Sequence, residues 1–120
     1  MTERLARLRT AMRERDLAAM LVTTPASVRW LSGFTAPEDA RVLVTHDDAW
    51  LLTDGRYVAQ ADETSRLAAV IRRDWQGEVA TRLPDGELGV EAEHLTLATA
   101  ASLERRLGQE PVRTEGLVAR

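Results

Sequence analysis

Apolar and polar positions follow two different periods along this chain, and the switches between them predict its elements. From Thr2 to about Arg15, Leu5, Leu8 and Met12 recur at helical spacing, while Arg4, Arg7, Arg9, Arg13 and Arg15 spread over the remaining faces. This is an amphipathic helix. With Glu3, Glu14 and Asp16 interleaved, its arginines read as a solvated face and not as an anion patch. Ala18 to Thr23 (AAMLVT) is apolar without alternation, the pattern of a strand covered on both faces. Thr24-Pro25 supplies an N-cap residue and a proline at the first helical position. Gly33 stops the chain about two turns later, so Ala26 to Ser32 is a short helix.

Residues 35–41 (TAPEDAR) form a polar loop. VLVT, HDD and AWLLT then read as an antiparallel hairpin that reverses at Asp47-Asp48. YVAQADET reads as helix and LAAVIRR as strand; a weak helix covers Gln76 to Leu83, Pro84-Asp85-Gly86 marks a turn, and LGVE is a short strand. Thr96 caps a helix through Leu107, with Leu97, Ala100, Ala101, Leu103 and Leu107 as its apolar stripe and Gly108 as its end, and a last strand, PVRT, follows. This order predicts an α/β fold: a mixed sheet of about six strands with helices on both faces.

Composition narrows the function classes. A chain of 120 residues is one domain, and no apolar run approaches the roughly 20 residues that span a bilayer. The N-terminus is charged from its third residue and lacks a secretory apolar stretch, so a cytoplasmic location and no membrane partner are expected. The net charge of −3, with all 16 basic residues arginine, argues against binding driven by nucleic-acid phosphates. Zero cysteines remove thiolate metal sites and a cysteine nucleophile. The last residues, Gly116 to Arg120, carry no stop signal, and the chain is expected to continue beyond them.

Candidate chemistry is sparse. His46 with Asp47 and Asp48, and Glu91 and Glu93 with His94, are the two groupings of ligating side chains; a strand end with an acidic turn explains the first without an ion, and the second, on a strand-to-helix connection, would need a further partner from elsewhere. No glycine-rich phosphate loop, nucleophile elbow or H-E-x-x-H helix occurs, and Ser27, Ser32, Ser65 and Ser102 lack a candidate base. In LLTDGRYVAQA, residues 51–61, Thr53-Asp54-Gly55 suits a turn, but Arg56 and Tyr57 follow at once, where either could point from a strand end into a site. The inventory alone describes an α/β domain without a self-contained catalytic site.

Three stretches together resemble the N-terminal domain of the creatinase, prolidase and Xaa-Pro aminopeptidase family. SVRWLSGF, residues 27–34, resembles its Asn-x-x-Tyr-Leu-Thr/Ser-Gly-Phe pattern, LLTDGRYVAQA its Thr-Asp-Gly-Arg-Tyr segment, and LGVEAEHLT its Gly-Val-Glu strand, in the same order and spacing. Ser27 stands where the family has Asn, Trp30 where it has Tyr, and the loop from Thr35 to Arg41 is more charged than the glycine-rich form.

The resemblance implies a ribonuclease H-like N-terminal domain over residues 1–120 of a two-domain hydrolase. The catalytic pita-bread domain, with two divalent ions (manganese, cobalt or zinc), would lie outside this chain, so this piece alone would be inactive and hold no cofactor. It implies a proline-containing peptide as substrate, the chain's own C-terminal domain as partner, and a homodimer. Arg56 matches an arginine that contacts substrate in some members, the competing account being an ion pair with Asp54. Arg41 would pair a dipeptide's carboxylate and Asp39 or Glu38 its amine, unless the loop is only solvated surface. Trp30 and Phe34 would wall a proline pocket or else belong to the core, and Trp75 reads equally as a dimer contact. A non-catalytic protein-binding module of the same fold and a creatinase-like hydrolase are the alternatives.

Overall fold

A computed structural model describes residues 2–118. The chain runs α1 (Thr2–Glu14), β1 (Ala19–Val22), α2 (Pro25–Ser32), a 3-10 turn (Pro37–Asp39), β2 (Arg41–Thr45), β3 (Ala49–Thr53), a second 3-10 turn (Gly55–Tyr57), α3 (Val58–Thr64), β4 (Ala68–Ile71), α4 (Trp75–Arg82), β5 (Leu88–Glu91), α5 (Leu97–Leu107) and β6 (Val112–Thr114). The six strands form one sheet in the order β4-β3-β2-β1-β5-β6. β2 is antiparallel to both of its neighbours, whereas β3–β4, β1–β5 and β5–β6 are parallel. Five strands therefore end at the same edge, where β2 begins.

Alternation along the strands feeds two cores. Met20, Val22, Val42, Val44 and Leu51 turn to one face and pack with Leu5, Leu8 and Met12 of α1 and Val28 and Leu31 of α2. Ala19, Leu21, Leu43, Leu52, Leu88 and Val90 turn to the other, against Val79 of α4 and Leu103 of α5. Burial of each such leucine stabilises the fold by roughly 1.5–3 kcal/mol, which explains why β1, buried on both faces, shows no polar alternation. Gly89 of β5 leaves room for the ends of the Leu17 and Met20 side chains, which a Cβ would approach to 2.7 and 2.8 Å.

Three expectations need correction. Thr24 occupies the N-cap position of α2, but its side chain makes no cap bond; its Oγ1 is buried without a partner among the described residues. The Glu91 carboxylate, at the end of β5, instead accepts the backbone N–H groups of Thr23 and Thr24 at 2.6 and 2.8 Å. The α1 arginines are not all a solvated face. Arg9 donates to the carbonyls of Thr45 and Asp48 and clips the β2–β3 reversal to the helix, and Arg4 donates to the Trp30 carbonyl. On α5, Leu97 is 81% exposed and Ala101 is also exposed, so Leu103 is the buried anchor, with Ala100 and Leu107 partly buried beside it. Leu97 and Ala101, four residues apart, share the other side of the helix.

Candidate functional site

The edge where five strands end and β2 begins gathers the charged residues of TDGRY. Asp54 leaves β3 with extended backbone, and its Oδ1 accepts the Arg56 N–H at 3.0 Å, the short-range bond that makes aspartate a turn former. The same carboxylate grips the Arg56 side chain, Nε to Oδ1 at 2.9 Å and Nη2 to Oδ2 at 2.8 Å. These bonds hold the Asp54 carboxyl down to about 2 and push the Arg56 guanidinium above its usual range. The ion pair expected as the competing account of Arg56 is thus present, yet the arginine side chain remains 67% exposed.

Asp39 completes the cluster from the first 3-10 turn. Tyr57 Oη donates to its Oδ2 at 2.5 Å, which raises the phenol above its ordinary range, and Oδ1 lies 4.0 Å from Arg56 Nη2. Thr53 Oγ1 donates to the Asp39 carbonyl, and the Tyr57 ring meets Phe34 edge-on at 5.9 Å, so both 3-10 turns are fixed to the end of β3. Phe34 itself is fully buried core.

Arg41, the first residue of β2, has its guanidinium carbon 4.3 Å from the centre of the Trp75 ring. Burial lowers its pKa below the usual arginine range, with Asp39 and Asp54 opposing that shift. A cavity of about 400 Å³ opens beside this stack, lined by Arg41, Asp54, Arg56, Arg72, Arg73 and Trp75. A second, of about 120 Å³, shares Arg41 and Trp75 and is bordered by Glu38 and His94. The structure therefore brings Arg56, Asp39 and Arg41 together. Trp30 lies elsewhere, beneath the Arg4 guanidinium at 5.0 Å and in a groove with Leu8, Ala11 and Leu117.

Arg72 and Arg73 are the members that residue-by-residue reading passes over, and Trp75, read there as a dimer contact, joins them. The run Arg-Arg-Asp-Trp directly after a predicted strand was the available signal, since ligands of open α/β sheets bind beyond the carboxyl ends of strands. The two groupings of ligating residues do not converge. His46 Nε2 meets the Leu17 carbonyl, Glu91 holds Thr23 and Thr24, Glu93 accepts from Gly116, and His94 Nδ1 faces Thr23 Oγ1. Among the described residues no three His, Cys, Asp or Glu gather to hold a metal ion, so the described donors do not fit a dinuclear centre. No helix among them is long and apolar enough to cross a membrane. What the arrangement offers is recognition of carbonyl or carboxylate oxygens by guanidinium groups.

Residues 4–120 match the family described as Creatinase/Prolidase N-terminal domain. A Laccaria bicolor protein named "Probable Xaa-Pro aminopeptidase P" is 32% identical over 127 aligned positions, covering 88% of this chain and 20% of its own length. A Leptosphaeria maculans protein of the same name is 44% identical over 68 positions, covering 52% of this chain and 11% of its own length. The chain thus spans a fifth or less of these relatives. Among solved structures, an Xaa-Pro dipeptidase from Bacillus anthracis superposes with a TM-score of 0.88 at 29% identity, over 97% of this chain and 34% of that one. The N-terminal domain of the cytoplasmic peptidase PepQ from Mycobacterium tuberculosis H37Rv superposes at 0.86 with 32% identity, over 96% and 95%.

Proposed function

Because this chain belongs to the creatinase/prolidase N-terminal domain family, we propose that it is the accessory domain of an Xaa-Pro peptidase and lends the TDGRY edge of its sheet to a peptide site. Hydrolysis falls to a catalytic domain outside residues 1–120. The names of the similar proteins, Xaa-Pro aminopeptidases and an Xaa-Pro dipeptidase, support the substrate class, a peptide with proline in second position. A cytoplasmic homodimer, in which each copy serves its own or its partner's catalytic domain, completes the proposal; the cytoplasmic peptidase among the structural neighbours supports the compartment.

The observation that carries this reading is the posture of Arg56. Asp54 takes its Nε and one Nη2 donor, and the side chain, 67% exposed and lining the cavity, keeps further N–H donors. Such a group is held in place before a ligand arrives, so it can donate to a peptide carbonyl or carboxylate with little further loss of side-chain freedom. Asp39 orients this arrangement through the Tyr57 bond to its Oδ2, and its Oδ1, 4.0 Å from Arg56, is the acceptor it would offer a peptide amine. Arg41 contributes charge and a wall through Trp75.

In the full-length protein, assayed with added manganese or zinc on Xaa-Pro dipeptides and longer Xaa-Pro peptides, Arg56→Ala lowers kcat/KM by about tenfold or more while the fold is retained. Unchanged kinetics overturn the assignment. A protein-binding module is the second reading, favoured by the fact that the cavity residues are suited to recognition and none is placed for bond cleavage. Full-length protein that binds such peptides without cleaving them decides for it.

A further inference from the structure

We propose that Arg72 and Arg73, just beyond the carboxyl end of β4, form an oxyanion site for the terminal carboxylate of a short peptide, with the Arg41–Trp75 stack as its wall. The proposal rests on the peptide reading above for the identity of the ligand, and it assigns the carboxylate end to residues outside the TDGRY cluster.

The commitments of the four cavity arginines differ. Arg56 is chelated by Asp54, and Arg41 is laid over Trp75. Arg72 lies 3.8 Å from Glu78 with its side chain 70% exposed, beyond hydrogen-bond distance. Among the described residues, the Arg73 side chain makes no ion pair or hydrogen bond. Four guanidinium groups and one carboxylate, Asp54, line a single cavity, so its field favours an anion. The main chain that carries the two residues is held, because Arg72 N–H donates to the Thr53 carbonyl at 2.8 Å and Trp75 N–H to the Arg73 carbonyl at 3.0 Å.

Size and lining select the kind of anion. A volume of about 400 Å³ is more than ten times a water's share of the liquid, roughly 30 Å³, so an anion bearing an organic body fits better than a bare ion. The Trp75 ring offers that body an apolar surface, while guanidinium forks match carboxylate oxygens in pairs. The start of α4 adds no anion site of its own, since Asp74 already caps it and pairs with Arg106.

The test follows the Trp75 indole N–H resonance of the 15N-labelled 120-residue chain, assigned with Trp75→Phe. Ala-Pro, its C-terminal amide and inorganic phosphate are titrated at low ionic strength. The expected result is saturable movement with Ala-Pro, binding of the amide weaker by about tenfold or more, and a similar loss in an Arg72→Ala/Arg73→Ala variant that keeps the remaining spectrum. Equal affinity for acid and amide, full binding by the double variant, or capture of phosphate without Ala-Pro each overturns the proposal. Absence of Xaa-Pro cleavage in the full-length protein would refute the peptidase reading and leave this carboxylate dependence intact, so the two fail separately.

Discussion

The Arg41 guanidinium carbon sits 4.3 Å from the centre of the Trp75 ring, joining the first residue of β2 to the first residue of α4. A half-desolvated cation over indole gains about 1–2 kcal/mol, and the ring also shields the end of the second core. Trp75→Ala therefore costs about 2–3 kcal/mol in urea unfolding at unchanged m-value, and Trp75→Phe about half of that. Equal losses in the two variants would show that the aromatic face contributes nothing.

Glu91 is 5% exposed, and one of its oxygens takes two backbone N–H groups. Glu91→Ala leaves those donors without an acceptor and destabilises the chain by about 2–4 kcal/mol, whereas Glu91→Gln keeps an acceptor oxygen and costs about 1–2 kcal/mol. Denaturant melts of the two variants side by side check the order.

Asp54 carries a pH signature. Its folded carboxyl is held down to about 2, below the ordinary 3.8, first by the Arg56 side chain. A lowered carboxyl pKa stabilises the fold above its unfolded value, so the clamp contributes fully above about pH 4 and is lost as pH falls toward 2. Carboxyl 13C titration is expected to place the Asp54 midpoint near 2 and to return it toward 3.8 in Arg56→Ala. A wild-type midpoint near 4 would mean that the clamp does not form in solution.

Gly33 ends α2 at φ 79°, its N–H bonded to the Arg29 carbonyl. A Cβ there would lie 3.0 Å from the Thr64 carbonyl oxygen. Gly33→Ala combines left-handed strain with that clash and lowers stability by about 1–3 kcal/mol, readable as a drop in melting temperature.

The loop of residues 35–41 supplies a test of substrate choice. It holds Asp39 against Tyr57 and ends on Arg41. Exchange for a glycine-rich loop in the full-length protein is expected to shift preference away from dipeptides toward longer peptides. An unaltered ratio of kcat/KM values would remove the loop from specificity.

Much of the fold was legible because its signals are local. Continuous apolar runs in β1, Thr96 with its cap bond, Gly33 and Gly108 in left-handed conformation, and Asp54 as a turn former each act within a few residues. Position was legible where bonding was not: Thr24 lies where a cap belongs, but Glu91, 67 residues on, supplies the acceptor. The site was half legible for the same reason. Asp54 and Arg56 are two residues apart, whereas Tyr57–Asp39 and Arg41–Trp75 meet only through strand register. Trp30 shows the reverse case: its aromatic character was evident, but the helix turns it toward α1 and Arg4.

The central place of β1 between β2 and β5 has a consequence for how the chain is made. Of these three strands β1, residues 19–22, leaves the ribosome first and finds β2 and β3 within the next few dozen residues, and the three can pair as a meander. Its other side stays open until residues 88–90 arrive. For that interval a nascent chain exposes an apolar strand edge able to pair with any neighbour, and a chaperone would be needed most over the stretch that encodes β3 to α4.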